Sequence, residues 1–428
     1  MGSDMTDAYG DKGGVGMEPI APLPRISIQV FTETDAVAHV VQAACQDRRM
    51  SKAHVKIQTG GAGAAVEAYR DAPTPNVIII ESRLNAQTLL GLLDELASQC
   101  DAGTRVVVIG HVNDVLLYRD LMRRGVSEYL IAPFDTLEFI RALSAIFQQE
   151  TGSKLGRIVA VIGTKGGVGS STLAHNLGHM LANQLDQETV IVDFDLPFGT
   201  AGLDFNQDPA TGLVEAASEP ERLDANLLDR MLSRCEDRLS LLAAPATLER
   251  TYDFGFQNYE PILDLLRQSV PQVVLDLPHV WNDWTRKVLL ASDEVLIVSS
   301  PDLANLRNAK NMMDNLVQLR KNDRKPHLVI NQVGVPKRPE IAVGEFAKAV
   351  GAEPIAVIPF DAQLFGTAAN NGQMLDDVQA KSKPVEAIEA IVRVVSGKGG
   401  DQTKAKRGLA AVSMLAPILS KIRGRQAG

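Results

Sequence analysis

Cysteine is scarce: the 428 residues contain three, Cys45, Cys100 and Cys235, far apart and with no CxxC spacing. That odd, scattered set offers no zinc, iron–sulfur or disulfide framework, and the three read as small buried hydrophobes. No apolar run approaches the roughly 18 residues needed to cross a bilayer. The start, MGSDMTDAYGDKGGVGMEP, has no apolar signal core. A cytoplasmic protein is the expectation. Positive charge is also short, with 43 Lys+Arg against 52 Asp+Glu and a net charge of −9, which argues against a chain-wide nucleic-acid binder. The deficit is uneven. Residues 397–428 hold seven Lys/Arg and one acid, Asp401, a net +6, which leaves −15 on the rest of the chain.

What is present is enough for about two to four domains. Apolar residues make up 45% and charged residues 22%, the balance of a globular protein with a substantial core. Residues 1–24, rich in Gly, Met, Pro and Asp, read as a disordered N-terminus; the GGVG at 13–16 has no strand before it and belongs to that tail. Residues 25–149 alternate β-type runs with helical stretches. Strands are expected at Ile26–Phe31, His54–Thr59, Asn76–Glu81, Arg105–Ile109 and Glu128–Ile131. Such a series implies a small parallel sheet covered on both faces. Asp135 with Glu138 three residues on has the spacing of a capping box. TGSKLG, 151–156, reads as a linker. A second α/β series then fills a domain over 150–396. Its strands are expected at Ile158–Ile162, Thr189–Phe194, Leu239–Ala243, Val273–Asp276, Glu294–Ser299, His327–Asn331 and Pro354–Ile358, the pattern of one larger doubly wound domain.

The main chemical signal lies at the start of that second series. In RIVAVIGTKGGVGSSTLAHNLGHML a hydrophobic strand runs into Gly163–Thr172, and a helix follows with Leu173, Leu177 and Leu181 on one stripe. Strand, Gly-rich loop and helix are the context of a phosphate-binding loop, whose backbone N–H groups and helix N-terminus cradle an anion. The pattern GxxxxGK[ST] aligns with Gly163 to Gly169, then Ser170 and Ser171. Ser170 thus stands where the loop lysine belongs. Lys165 precedes Gly166-Gly167-Val168-Gly169 and matches the extra lysine of the deviant loop KGGxGK[ST].

Here the chain resembles the ParA/MinD family of dimeric ATPases. The resemblance implies ATP and Mg²⁺ as ligands, with Gly166, Gly167, Val168, Gly169, Ser170, Ser171 and Thr172 around the phosphates. It makes Ser171 the metal-ligating hydroxyl and has Lys165 cross a dimer interface to the partner's nucleotide. VIVDFDLPFGTAGLD resembles the switch I segment, with Asp193 near the metal and Asp195 positioning the attacking water. PQVVLDLPHVWNDW resembles the Walker B strand and switch II, with Asp276 near the metal. LVINQV places Asn331 at the adenine-contacting position, and VIPFD with Pro359 and ANNGQML with Asn370 and Asn371 resemble the base-side loop. Loss of the lysine charge at Ser170 weakens transition-state stabilisation, so weak or absent hydrolysis is expected. Iron–sulfur carriers of this fold need interface cysteines, and tyrosine kinases of the group carry a C-terminal tyrosine cluster. Neither fits a domain with only Cys235 and a last tyrosine at Tyr259.

The 25–149 series resembles a response-regulator receiver without its chemistry. Glu33 and Asp35 are out of step with the acidic pair, Glu81 stands at the phosphoacceptor position, Gly110 replaces the hydroxyl, and Ala132-Pro133 replaces Lys-Pro. This domain is expected to supply a docking or dimerisation surface. In the basic tail, Val412, Leu415, Ile418, Leu419 and Ile422 fall near one helical face, although Pro417 opposes a continuous helix. Two readings stand: a solvated tail, or an element contacting a membrane surface or a partner. The fold class is therefore α/β, a receiver-like (flavodoxin-like) domain joined to a larger doubly wound P-loop ATPase domain. That pairing, with KGGVGSST, resembles the CpaE/TadZ-type Flp (Tad) pilus assembly proteins. It implies a homodimer, partnership with the pilus secretion ATPase and its inner-membrane platform, and a peripheral or polar placement. The alternative is an active ParA/MinD-type ATPase positioning DNA or division proteins, and the acidic body weighs against DNA.

Overall fold

The computed structural model describes residues 20–151, 155–208, 211–245 and 247–396. The GGVG at 13–16 and the basic tail at 397–428 lie outside the described residues.

The first sheet holds β1 (Ile26–Thr32), β2 (Ala53–Thr59), β3 (Val77–Glu81), β4 (Arg105–Gly110) and β5 (Glu128–Ile131). All pairings are parallel, in the order β2-β1-β3-β4-β5, the flavodoxin-like arrangement. β3 is central, and its run VIIIE is buried on both faces, as a helix-covered parallel strand requires. Alternate residues feed two cores: Val77 and Ile79 pack on one face, Ile78 and Ile80 on the other. Asp135 and Glu138 close the expected capping box, with Asp135 N donating to Glu138 Oε2 at 3.0 Å and Glu138 N to Asp135 Oδ1 at 2.8 Å.

The second sheet has eight strands: β6 (Arg157–Gly163), β7 (Thr189–Asp193), β8 (Ser233–Glu236), β9 (Leu239–Leu242), β10 (Gln272–Leu277), β11 (Glu294–Ser299), β12 (His327–Val333) and β13 (Pro354–Pro359). Their order is β13-β12-β11-β6-β10-β7-β9-β8. Only β8 with β9 is antiparallel. β6 lies between β10 and β11, where the chain crosses from one half of the sheet to the other, so the loop after β6 opens into the crevice that such sheets use for ligands. The Ser170–Leu185 helix after that loop is buried on all sides from Leu173 to Ala182. It sits between the sheet and the Lys383–Val395 helix, whose Val385, Ile388 and Val392 share its core. Close approach is needed on the sheet side: a Cβ on Gly178 would lie 2.5 Å from Ile191 Cδ1.

Two features depart from the sequence reading. Residues 20–24, assigned to the disordered N-terminus, pack on the first domain: Ile20 and Leu23 join its core, and Leu23 N donates to Arg49 O at 2.8 Å. β8 was not expected, because SRCE is a half-exposed edge segment with no apolar run to mark it.

The two sheets meet through charge. After the Asp35–Ala44 helix, Asp47 caps a short turn that presents Arg48 and Arg49 to the second domain. Arg48 Nε donates to Asp323 Oδ2 at 2.7 Å and Nη2 to Asp293 Oδ1 at 3.2 Å. Arg49 pairs with Asp323 and Asp47, and Asn322 Nδ2 donates to Asp47 Oδ2 at 2.9 Å. Asp293 also accepts from Arg267 Nη1 at 2.7 Å and from Ile158 N at 2.9 Å. Burial works against the Asp293 charge, but Arg267 and Arg48 outweigh it and hold the carboxyl at about 2. Ile158 is the second residue of β6, and the phosphate loop follows its other end. The docking network therefore lies at the opposite end of a seven-residue strand, roughly 20 Å from the loop.

Removing one member of a buried ion network costs about 3 kcal/mol or more. Arg48→Met is expected to lower the denaturation midpoint accordingly and to expose the turn at 48–50 to protease. An unchanged midpoint with unchanged cleavage would contradict this docking.

Candidate functional site

The phosphate loop is held from outside by side chains. Thr164 is fully buried; its N donates to Val298 O at 2.9 Å, and its hydroxyl meets Asn305 Oδ1 at 2.5 Å and Ser299 Oγ at 2.8 Å. Asn308 Nδ2 donates to Thr164 O at 2.8 Å, and His279 Nδ1 donates to Gly163 O at 2.9 Å. On the other flank, Asn331 Nδ2 donates to Val168 O and Gln332 Nε2 to Gly167 O, both at 2.8 Å. Gly167 and Gly169 have φ of 80° and 85°, which favours glycine, and a Cβ on Gly169 would sit 2.5 Å from Asn331 Nδ2. These bonds occupy loop carbonyls from behind, which suits a loop whose N–H groups are to face an anion.

Lys165 and Gly166 are exposed at the mouth of the loop. Lys165 makes no hydrogen bond or ion pair among the described residues, while its charge helps to hold Asp302 below the usual carboxylate range, after burial and the Asn305 bonds. Ser170 folds inward, its Oγ 2.9 Å from where a Cβ on Gly163 would stand. Ser171 and Thr172 are half-buried in the first turn of the helix.

Asp193 ends β7 and Asp276 lies near the end of β10, paired in ladder register. Both are almost fully buried. Asp193 Oδ1 accepts from Asp195 N at 3.0 Å and Oδ2 from Ala201 N at 3.2 Å. Burial, and then the charge of Asp276, push its carboxyl up to about 7. Neither oxygen of Asp276 is hydrogen-bonded. Asp195 is half-buried and raised by burial first and Asp276 also; its Oδ1 accepts from Phe198 N at 3.2 Å. Phe194 between the two aspartates anchors the segment by stacking with Trp284 and meeting Tyr259 edge-on, with centroids 5.9 and 4.9 Å apart.

A cavity of about 430 Å³ opens beside the loop. Gly167, Gly169, Thr172, Asn331 and Pro359 line it, together with Asn176, Asp204, Phe360, Phe365 and Met374. Of the residues singled out for the nucleotide site, Gly167, Gly169, Thr172, Asn331 and Pro359 thus line one cavity, and Asp193 and Asp276 stand at the ends of neighbouring strands of the same sheet. Asn370 and Asn371 are not among the lining residues; Asn371 turns instead to Gln373 at 3.0 Å.

Several residues of the site were not singled out in the sequence. His175 is fully buried one turn below Ser171, with Nδ1 2.6 Å from Asp204 Oδ2 and Nε2 3.3 Å from Asp276 Oδ2. Burial pulls its pKa down, but Asp204 and Asp276 outweigh this and hold it at about 10. His179 repeats the arrangement a turn further on, between Glu236 Oε1 at 2.7 Å and Asp376 Oδ1 at 3.1 Å. The available signal was a pair of histidines in an otherwise apolar helix, LAHNLGHML, where buried imidazoles need partners.

The receiver-like site is filled. Glu81 is fully buried and accepts from Glu33 N, Thr34 N and Thr34 Oγ1 at 2.7, 2.9 and 2.6 Å, with His111 Nε2 at 3.0 Å. Burial raises its pKa, but these bonds outweigh it and hold the carboxyl below its ordinary value. A Cβ on Gly110 would meet Tyr129 Oη at 2.0 Å, so the tyrosine occupies the space a hydroxyl side chain would need.

A P-loop ATPase fold of MinD/ParA type follows from this sheet, loop and carboxylate pair. Residues 156–330 match the family model of an AAA domain. The septum site-determining protein MinD of Synechocystis sp. is 25% identical over 253 residues, 57% of this chain and 91% of that protein. MinD of Pyrococcus horikoshii, solved in complex with Mg-ADP, is 18% identical with a TM-score of 0.50, over 57% of this chain and 98% of its own. The second domain is thus similar in sequence to MinD proteins and shares their fold. A pilus assembly protein CpaE from Caulobacter crescentus is 48% identical over 29% of this chain and 96% of its own, with a TM-score of 0.29.

His179 supplies a pH test. Burial pulls the His179 pKa down, but Asp376 and Glu236 outweigh it and raise it to about 10, which gives stability that is complete below its ordinary value of 6.5 and is lost as pH rises through 10. Allowing for the partly exposed Glu236, the contribution is on the order of 2 kcal/mol. His179→Ala is expected to flatten the stability profile between pH 6.5 and 10, measured by denaturant unfolding. A mutant profile parallel to wild type would contradict the pairing.

Proposed function

We propose that this chain is an ATP-binding localisation and assembly factor for Flp/Tad-type pili, dimerising on nucleotide and hydrolysing it weakly or not at all. The observation that carries the reading is Lys165, exposed and unpaired at the loop mouth among the described residues, with large exposed apolar side chains at the same end of the sheet. Phe198, Leu203 and Leu303 are 72%, 76% and 75% exposed, and Trp281 is 47% exposed. They stand on the loops after β7, β10 and β11, the same end of the sheet as the loop. A second copy covering them would gain about 1.5–3 kcal/mol for each large side chain fully buried, and Lys165 would reach that copy's nucleotide.

The residues present fit the implied ligands. The cradle left open at Gly166 and Gly167 suits phosphates, and Ser171, Asp193 and Asp276 offer the oxygen donors that Mg²⁺ takes. Bound there, Mg²⁺ would neutralise phosphate charge. Asn331 and Pro359 line the base-side cavity. Asp195 would orient water, and Lys165 would add its charge in trans. Ser170 gives the phosphates a hydroxyl in place of a cation. The resemblance of the domain pairing is what points to pili, with the secretion ATPase and inner-membrane platform as partners and the receiver-like domain as a docking surface. No helix among the described residues is long and apolar enough to cross a membrane, so peripheral placement would use protein contacts or the 397–428 segment.

One preorganised donor aimed at developing transition-state charge is worth about 10²–10³ in rate. Sedimentation velocity should show a monomer alone and a dimer with ATP and Mg²⁺, and Lys165→Ala should remain monomeric. Ser170→Lys should raise turnover on the order of 10²-fold from a low base. A chain that stays monomeric in ATP would overturn the scaffold reading. Wild-type turnover matching a competent MinD-type ATPase would favour the motor alternative.

A further inference from the structure

Beneath the phosphate loop lie three ligand-type side chains with unused atoms. His175 Nε2 has no hydrogen-bond partner, and neither has either oxygen of Asp276, although all are buried away from solvent. The 3.3 Å between His175 Nε2 and Asp276 Oδ2 is an ion-pair distance without hydrogen-bond alignment. Ligand atoms of His175, Asp193 and Asp276 all fall within 4.8 Å of one another, a span that one ion at about 2.0–2.2 Å from each can bridge once the side chains draw in by a few tenths of an ångström. Asp193 accepts one backbone N–H on each oxygen, which leaves each oxygen a further lone pair. His175 Nε2 and Asp276 Oδ2 have only each other as an ion pair, and Asp276 Oδ1 has no hydrogen-bond partner; a buried ligand set left short in this way calls for an occupant.

The outer side of the imidazole is already fixed. His175 Nδ1 bonds Asp204 at 2.6 Å, the carboxylate–histidine arrangement that orients a metal-binding imidazole and raises its basicity. We propose that His175, Asp193 and Asp276 form a mixed nitrogen–oxygen site for a first-row transition cation such as Mn²⁺, Co²⁺ or Zn²⁺, filled in the absence of nucleotide and oriented by Asp204. An imidazole ligand selects against Mg²⁺, which takes oxygen donors and keeps its waters. The site uses neither Ser171 nor a phosphate oxygen. On binding, the metal–nitrogen bond takes the place of the Nε2 proton, which passes to solvent. It shares Asp193 and Asp276 with the Mg²⁺ of the nucleotide-bound reading, so the two ions are alternatives; because this one needs no nucleotide, its binding is measured separately from the ATP-gated dimer.

The test uses the untagged full chain, freed of metal and nucleotide, titrated with Co²⁺ and followed by its visible absorption. One equivalent per chain is expected, with a band that persists in excess Mg²⁺. Mn²⁺ bound in its place should show ¹⁴N modulation from a directly coordinated imidazole in pulsed EPR. His175→Ala should abolish both signals. Asp204→Asn, which keeps every metal ligand, should weaken Co²⁺ binding about 10–100-fold. It carries the test should His175→Ala not fold. No Co²⁺ bound, binding unchanged in His175→Ala or in Asp204→Asn, or ready displacement by Mg²⁺ would overturn the proposal.

Discussion

Two buried carboxylates of like charge, Asp193 and Asp276, stand side by side in the ladder of β7 and β10, and much of the second domain is arranged around that cost. Adjacent strands lie only about 4.8 Å apart, and an unpaired buried charge is among the most expensive features a fold can carry. The offsets come from three directions. Backbone N–H groups of Asp195 and Ala201 turn the chain back onto Asp193. His175 comes up from the helix beneath. The open side faces the loop, where a cation and a polyanion would complete the balance. Strain of this sort is useful in a switch: whatever binds on the open side changes how tightly the segment after β7 is held, and Phe198 and Leu203 are carried on that segment.

The molecule has two chemically different ends. At the start of β6 the Arg48–Asp293–Arg267 network joins the domains with groups that are already neutralised. At the end of β6 the groups are exposed or short of partners: Lys165, Asp276, and the apolar side chains around the loop mouth. Interaction capacity is thus concentrated on the face opposite the docking interface. The flavodoxin-like domain can ride on the P-loop domain without covering that face, and the end of its own β3 is closed by internal bonds to Glu81.

Much of this was legible in the sequence for a physical reason. Parallel strands covered on both faces must be continuous apolar runs, so VIII, RIVAVIG and VVLDL announce themselves, and the strand-to-Gly-loop-to-helix order has few other uses. Asn331 and Pro359 were placed at the site by resemblance, although the Asn331 amide is spent on holding Val168 and Gln332. What was illegible depends on distance or on context. Arg48 meets Asp293 and Asp323 across 245 and 275 residues, and RRM by itself reads as a solvated charge cluster. Ile20 and Leu23 sit in a stretch whose composition resembles a tail. His175 looks like one more core histidine until its partners are known.

The central claim is that this nucleotide site serves as a switch between two copies of the chain. A crystal structure of the protein grown with ATP and Mg²⁺ tests it most directly. The account predicts intact ATP between two subunits, with the Lys165 ammonium of each against the phosphates bound by the other. ADP in an isolated subunit, with Lys165 turned to its own loop, would contradict it.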